Sequence, residues 1–290
     1  MTERLTLMAV HAHPDDECMS TGGSLARYRD EGLRTILVTA TRGEEGEIVD
    51  PTMDPAEVQP KLGDVREEEL RQACHILNVE ELHMLGYRDS GMAGTPANNH
   101  PECLAQADLD EATGRLVRLI RQSRPHVITC YDENGGYGHP DHIQVNRITV
   151  AAFHAAGDAT RYSDSGLAPW QPQKLYYTAY PRSYIVTRYE VMRSMGGETP
   201  LDRPDFDPRK VGGTPDEEIT TWIHVQDYLE RKLHALRCHR TQIAPDWWFL
   251  GIPLPVQRDK FACECFVRVV SHVPVDDPED DLFAGLRTRG

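Results

Sequence analysis

The run Leu5-Thr6-Leu7-Met8-Ala9-Val10 passes directly into His11-Ala12-His13-Pro14-Asp15-Asp16-Glu17. Six residues without a charge read as a strand buried on both faces, and five polar side chains crowd its carboxyl end. In open α/β sheets, ligands bind beyond the carboxyl ends of the strands, so this junction marks both the fold and a site. Similar apolar runs at 35–40, 82–85, 127–131 and 175–179 read as further strands. Residues 23–30, 62–77 and 109–121 read as helices between them. In the last of these, Leu109, Ala112, Leu116 and Ile120 recur at three- and four-residue steps, one apolar helix face. Buried strands separated by helices pair in parallel through crossovers. The reading is an α/β fold, a doubly wound, mostly parallel sheet with helices on both faces.

Residues 1–180 read as this sheet-and-helix unit, the one that carries the candidate site. Residues 181–290 are less regular, with eight glycines and prolines between 196 and 217. A strand at 219–225, a helix at 226–240 and a strand at 262–270 follow. This part is either a smaller C-terminal lobe completing a substrate pocket or a continuation of the same sheet.

Composition narrows the function classes. Among 290 residues, 31 Lys and Arg stand against 46 Asp and Glu, a net charge of −15. Such a surface repels nucleic-acid phosphates and anionic lipid, so neither is an expected partner. No run approaches the roughly 18 apolar residues of a membrane span, and the first ten residues do not read as a signal peptide. Seven scattered cysteines without a CxxC pair suggest free thiols in a cytoplasmic protein. Nothing in the composition sets the oligomeric state.

A second polar cluster follows the fourth strand: Tyr131-Asp132-Glu133-Asn134-Gly135-Gly136-Tyr137-Gly138-His139-Pro140-Asp141-His142. Pro140 suits the first turn of a helix. His139 and His142, three apart, project from neighbouring positions on it. The glycines lack the GxGxxG spacing of a dinucleotide site, which argues against a nicotinamide-dependent oxidoreductase. In the first cluster, His13 and Asp16 can converge on one metal ion across a tight turn, leaving Asp15 free to take a proton. The structural alternative makes Asp16 a helix cap and the histidines packed side chains.

The pair AHPDDE and GGYGHPDH resembles the two motifs of the zinc-dependent N-deacetylases of the LmbE and PIG-L type. Within them it is similar to the mycothiol enzymes, the GlcNAc-inositol deacetylase and the mycothiol S-conjugate amidase. The resemblance implies a Rossmann-like sheet and one zinc ion per chain, or another divalent metal, held by His13, Asp16 and His142. It makes Asp15 the general base and has Tyr137 and His139 polarise the amide carbonyl, with Asp141 orienting His139. Asp15 or His139 returns a proton to the leaving amine. It places Glu47, Arg66 and Asp89 at a small amino-sugar substrate. Glu67-Glu68-Glu69 reads instead as a solvated helix face, and Trp247, Trp248 and Phe249 either stack on a sugar or pack in the core. The amidase branch carries a lysine shortly after the first motif, where this chain has Cys18-Met19-Ser20, whereas the Tyr131–Asn134 and Leu175–Tyr177 stretches look amidase-like. The expected activity is removal of an N-acyl group, acetyl being the expected one, from a GlcNAc-inositol-like conjugate. The alternatives are the thiol-conjugate amidase and a non-catalytic metal- or sugar-binding protein.

Overall fold

The computed structural model describes residues 4–287. Its seven strands are β1 (Thr6–His11), β2 (Arg34–Thr41), β3 (Glu81–Tyr87), β4 (Val127–Cys130), β5 (Lys174–Ala179), β6 (Thr221–His224) and β7 (Cys263–Ser271). They form one sheet in the order β3-β2-β1-β4-β5-β7-β6. The first five pair in parallel, and β7 runs antiparallel to both β5 and β6.

All six residues of β1 are buried, which is why the run carries no charge. Its side chains alternate between two layers. Leu7 and Ala9 pack with Leu25, Tyr28 and Leu70 from the helices Gly22–Asp30 and Leu62–Leu77. Met8 and Val10 pack with Leu116, Val117 and Ile148 from the helices Leu109–Ser123 and Pro140–Ala155. From β1 the chain winds outward through β2 to β3, then returns to β4 on the other side of β1. The connections leaving β1 and β4 therefore part in opposite directions, and a crevice opens beyond their carboxyl ends. Both polar clusters of the sequence leave from these two strands.

Three local expectations are corrected. Leu109 is 42 % exposed, because it is the first residue after the cap Asp108, whose carboxylate accepts from Glu111 N–H at 2.9 Å; the buried face begins at Ala112. The helix expected at 226–240 spans only Leu229–Leu236, and the chain beyond it becomes a series of turns. Glu69 does not face solvent. It is buried and accepts from the backbone N–H of Thr241 at 2.9 Å and its hydroxyl at 2.7 Å, pinning those turns to the helix Leu62–Leu77.

Strands β6 and β7 continue the sheet, and the tail beyond them is fastened by one carboxylate. Glu279 takes an ion pair from fully buried Lys174, another from Arg268 at 2.7 Å, and hydrogen bonds from Tyr176 at 2.9 Å and Thr221 at 3.0 Å. Leu282 and Phe283 beyond it are fully buried. Removing one partner of a buried pair leaves a desolvated charge, a cost of about 3–5 kcal/mol. Glu279→Ala is therefore expected to lose about that much in urea unfolding; a loss below about 1 kcal/mol would show that water reaches Lys174. Among the described residues, no helix is long and apolar enough to cross a membrane.

Candidate metal centre

The loop after β1 is fixed from both neighbouring strands. Ala12 O accepts from Thr41 N–H at 2.9 Å, and Ala12 N–H donates to the Tyr131 hydroxyl at 2.8 Å. Asp15 then takes a left-handed backbone, φ 115°, before the short helix Asp16–Ser20 begins. Asp16 Oδ2 accepts from His13 N–H at 2.8 Å and from the Tyr131 hydroxyl at 2.7 Å. Across the crevice, Gly135 at φ 64° lets its carbonyl meet His142 Nδ1 at 3.2 Å; a Cβ on Gly135 would lie 2.6 Å from that of His142.

Three atoms consequently face one point. His13 Nδ1 and His142 Nε2 are 3.3 Å apart, and each is 3.5 Å from Asp16 Oδ2. Ligands about 2.0–2.1 Å from a tetrahedral ion stand roughly 3.3–3.4 Å from one another, so the spacing fits a metal. The partners behind the rings point the same way. His13 Nε2 meets Asp141 Oδ2 at 3.1 Å, and His142 Nδ1 meets the Gly135 carbonyl. With protons on those outer nitrogens, two bare lone pairs and a carboxylate face each other, an arrangement that calls for a cation between them. Burial opposes charge on His13, yet Asp141, Asp16 and Asp89 outweigh it and hold its pKa well above the usual value; the site favours positive charge, which a metal ion bound at Nδ1 would supply in place of a proton. Burial would likewise raise Asp16, but the facing His142 and His13 hold it well below the carboxylate range.

His139 also brings a ring nitrogen near those of His13 and His142, within 4.8 Å. Its Nδ1, however, accepts from Asp141 N–H at 3.1 Å as the cap of the helix Pro140–Ala155. A neutral ring then carries its proton on Nε2 and is a donor. Burial, then the neighbouring His13, push its pKa down to about 4, so it is neutral at pH 7. Tyr137 lies at the rim, 67 % exposed, its ring 5.0 Å from that of His142. Desolvation and the charge of Asp16 push its hydroxyl up to about 12, so it too keeps its proton.

Asp15 stands beside this group. Burial lifts its carboxyl to about 6, although the Arg66 guanidinium pulls the other way. Arg66, expected to fork onto substrate, is buried; it donates to Gly43 O at 2.7 Å, Pro14 O at 2.7 Å and Asp15 Oδ2 at 3.2 Å. Asp89 is also turned inward, accepting from Gly91 N–H at 2.8 Å with an oxygen 3.5 Å from His13 Nε2. Glu47 is exposed; its backbone carbonyl accepts from Gln242 at 2.9 Å. Asp141 departs from the expected role of orienting His139. Its carboxylate holds His13 and takes both donors of Ser90, and only its backbone reaches His139. A carboxylate beside His13 is better satisfied by that ring's N–H than by His139, whose near nitrogen has no hydrogen to give.

Sequence reasoning passes over Tyr131, Ser90 and His239. Tyr131 opens the second cluster and stacks on His142 at 4.0 Å, so its place in the motif is a usable signal. Ser90 follows Asp89 directly. His239 reaches Glu17 at 2.7 Å across 222 residues, which no spacing shows. Trp247, Trp248 and Phe249 are half-buried and pack into apolar clusters. All seven cysteines are free thiols.

The profile of the PIG-L family, GlcNAc-PI de-N-acetylase, matches residues 8–153. The chain is 43 % identical to the 1D-myo-inositol 2-acetamido-2-deoxy-alpha-D-glucopyranoside deacetylase of Acidothermus cellulolyticus, over 97 % of this chain and 95 % of that one. It is 40 % identical to the mycothiol S-conjugate amidase of Streptomyces coelicolor, over 99 % of each. The fold matches that of N,N'-diacetylchitobiose deacetylase from Pyrococcus horikoshii with a TM-score of 0.64 at 18 % identity, over 92 % of this chain and 85 % of that one. Since the profile spans both motifs and the likeness to named members runs the length of the chain, the protein belongs to the PIG-L family and is an amide-cleaving hydrolase.

Proposed function

We propose that the chain removes the N-acetyl group from a GlcNAc-inositol-like amino-sugar conjugate, using one zinc ion, or another divalent metal, held by His13, Asp16 and His142. The observation that carries this reading is the triangle of His13 Nδ1, Asp16 Oδ2 and His142 Nε2, with edges of 3.3–3.5 Å and outer partners that fix both tautomers. Two neutral nitrogens and one carboxylate suit zinc and leave a position open. A divalent ion there supplies Lewis acidity, which lowers the pKa of water to about 7 and polarises a carbonyl.

The remaining steps belong to the chain's own groups. Asp15 takes a proton from the attacking water and, with its pKa near 6, returns it to the leaving amine. His139 Nε2–H and the Tyr137 hydroxyl donate to the carbonyl oxygen as it gains charge, a kind of contact typically worth about 3–4 kcal/mol. Asp141 keeps the His13 tautomer. Glu47, exposed on its loop, accepts from sugar hydroxyls, while Arg66 and Asp89 shape the floor beneath. Residues 181–290 complete the pocket by bracing that loop through Gln242. Seven free thiols support a cytoplasmic location.

A second reading, the thiol-conjugate amidase, is supported by the relative from Streptomyces coelicolor. The Cys18-Met19-Ser20 stretch favours the deacetylase. Cys18 is buried, and the cation that reaches this stretch, Lys232, is spent on Met19 O at 3.0 Å and Glu264 at 2.6 Å. An N-acetylglucosaminyl polyol is expected to show kcat/KM about tenfold or more above a mycothiol-type conjugate, roughly 1.4 kcal/mol of discrimination. Side-by-side kinetics on one zinc-loaded preparation test this; preference for the conjugate assigns the amidase, and cleavage of neither refutes both.

A further inference from the structure

We propose that the buried Glu17–His239 pair positions the general base, holding the Asp15 backbone in its left-handed turn from the far end of the chain. The inference rests on the reading of Asp15 as the base. Asp15 carries a Cβ, yet sits at φ 115°, ψ −30°, a region that side-chain-bearing residues seldom occupy. Such a conformation persists only where the surroundings over-determine it. Arg66 holds the Asp15 carboxylate, but something must also hold the peptide.

Glu17 does so. Its Oε2 accepts from Asp15 N–H at 3.0 Å, while its Oε1 accepts from the Cys18 thiol at 3.0 Å and meets His239 Nε2 at 2.7 Å. Both side chains of the pair are wholly shielded from solvent. With Oε2 on the Asp15 N–H, the tilt of the carboxylate is set by what holds Oε1, and the His239 ring at 2.7 Å is a stronger partner there than the weakly donating Cys18 thiol. His239 is itself fixed by its neighbours: Arg240 pairs with Asp50 at 2.7 Å, Thr241 bonds to Glu69, and Gln242 donates to Glu47 O. The turns after the helix Leu229–Leu236 thus clasp the base-bearing loop and the 43–50 loop together.

Glu17, Cys18 and His239 also bring ligand atoms within 4.8 Å of one another, the makings of a second metal site. Against that reading, the Glu17 carboxylate is already committed on both oxygens to protein donors. Metal stoichiometry separates the two.

The test is a double-mutant cycle on the zinc-loaded full-length chain, reading kcat, KM and zinc per chain. Glu17→Ala is expected to lower kcat about 10- to 100-fold, the cost of misplacing a reacting group by about 1 Å, with KM and zinc content unchanged. Glu17→Gln, which keeps an acceptor for Asp15 N–H, should recover most of that loss. In an Asp15→Asn background the same Glu17→Ala change should cost little further, because the group it positions no longer accepts a proton. Glu17→Met fills the space without an acceptor and serves if the alanine variant does not fold; unfolding of both assigns the pair to stability alone and overturns the proposal. Additive losses, zinc lost in step with turnover, or a second zinc bound per wild-type chain overturn it as well. If Asp15→Asn alone keeps normal turnover, the base assignment fails first and this proposal falls with it.

Discussion

Asp15→Asn is expected to keep its bound metal and lose about 10²- to 10⁴-fold in turnover, the usual contribution of positioned proton transfer and about 3–5 kcal/mol in the barrier. The substitution is nearly isosteric. An amide oxygen can still accept from Arg66, and the backbone N–H remains on Glu17. What disappears is a carboxylate that takes a proton near neutral pH. Metal should stay because the triangle of His13, Asp16 and His142 does not include this side chain. Elemental analysis and steady-state kinetics on the same preparation check both halves. Near-normal turnover would remove Asp15 from the mechanism.

His142→Ala is expected to abolish both metal retention and activity. The variant leaves two donors where three are needed. The partner it orphans, the Gly135 carbonyl, is a neutral backbone group, so this is a cleaner test than His13→Ala, which would strip Asp141 of its imidazole. Asp141→Asn makes a graded comparison. It keeps every proposed ligand but blurs the His13 tautomer, and losses behind a ligand typically cost about 10- to 100-fold in metal affinity. Competition against a chelator of known affinity should therefore rank wild type above Asp141→Asn, and Asp141→Asn above His142→Ala. Wild-type zinc in the alanine variants of His13, Asp16 and His142 alike would show that the ligands lie elsewhere.

The sheet is legible in the sequence because burial on both faces excludes charge from a strand, and β1 obeys this at every position. Both clusters are legible as sites because they end strands, and the order β2-β1-β4 then brings them to one crevice. Roles within the crevice are less accessible. Asp141 lies two residues from His139, and sequence proximity suggests that pairing; its carboxylate instead crosses to His13, 128 residues away. Arg66 is expected at the substrate until Gly43 is seen to make room for its guanidinium inside the protein: a Cβ on Gly43 would fall 2.1 Å from it. Glu69 looks solvated among three glutamates because its partner, Thr241, arrives from a segment whose helix is shorter than its sequence suggests. Periodicity registers a residue's own element; these contacts are made between elements far apart in the chain.

A crystal structure of zinc-loaded protein, with anomalous data collected on both sides of the zinc absorption edge, bears on the metal centre without an intervening assay. One ion per chain is expected, about 2.0–2.2 Å from His13 Nδ1, Asp16 Oδ2 and His142 Nε2. An ion held by His139 in place of Asp16, or by Glu17, Cys18 and His239, or no anomalous peak in the crevice, would refute the assignment.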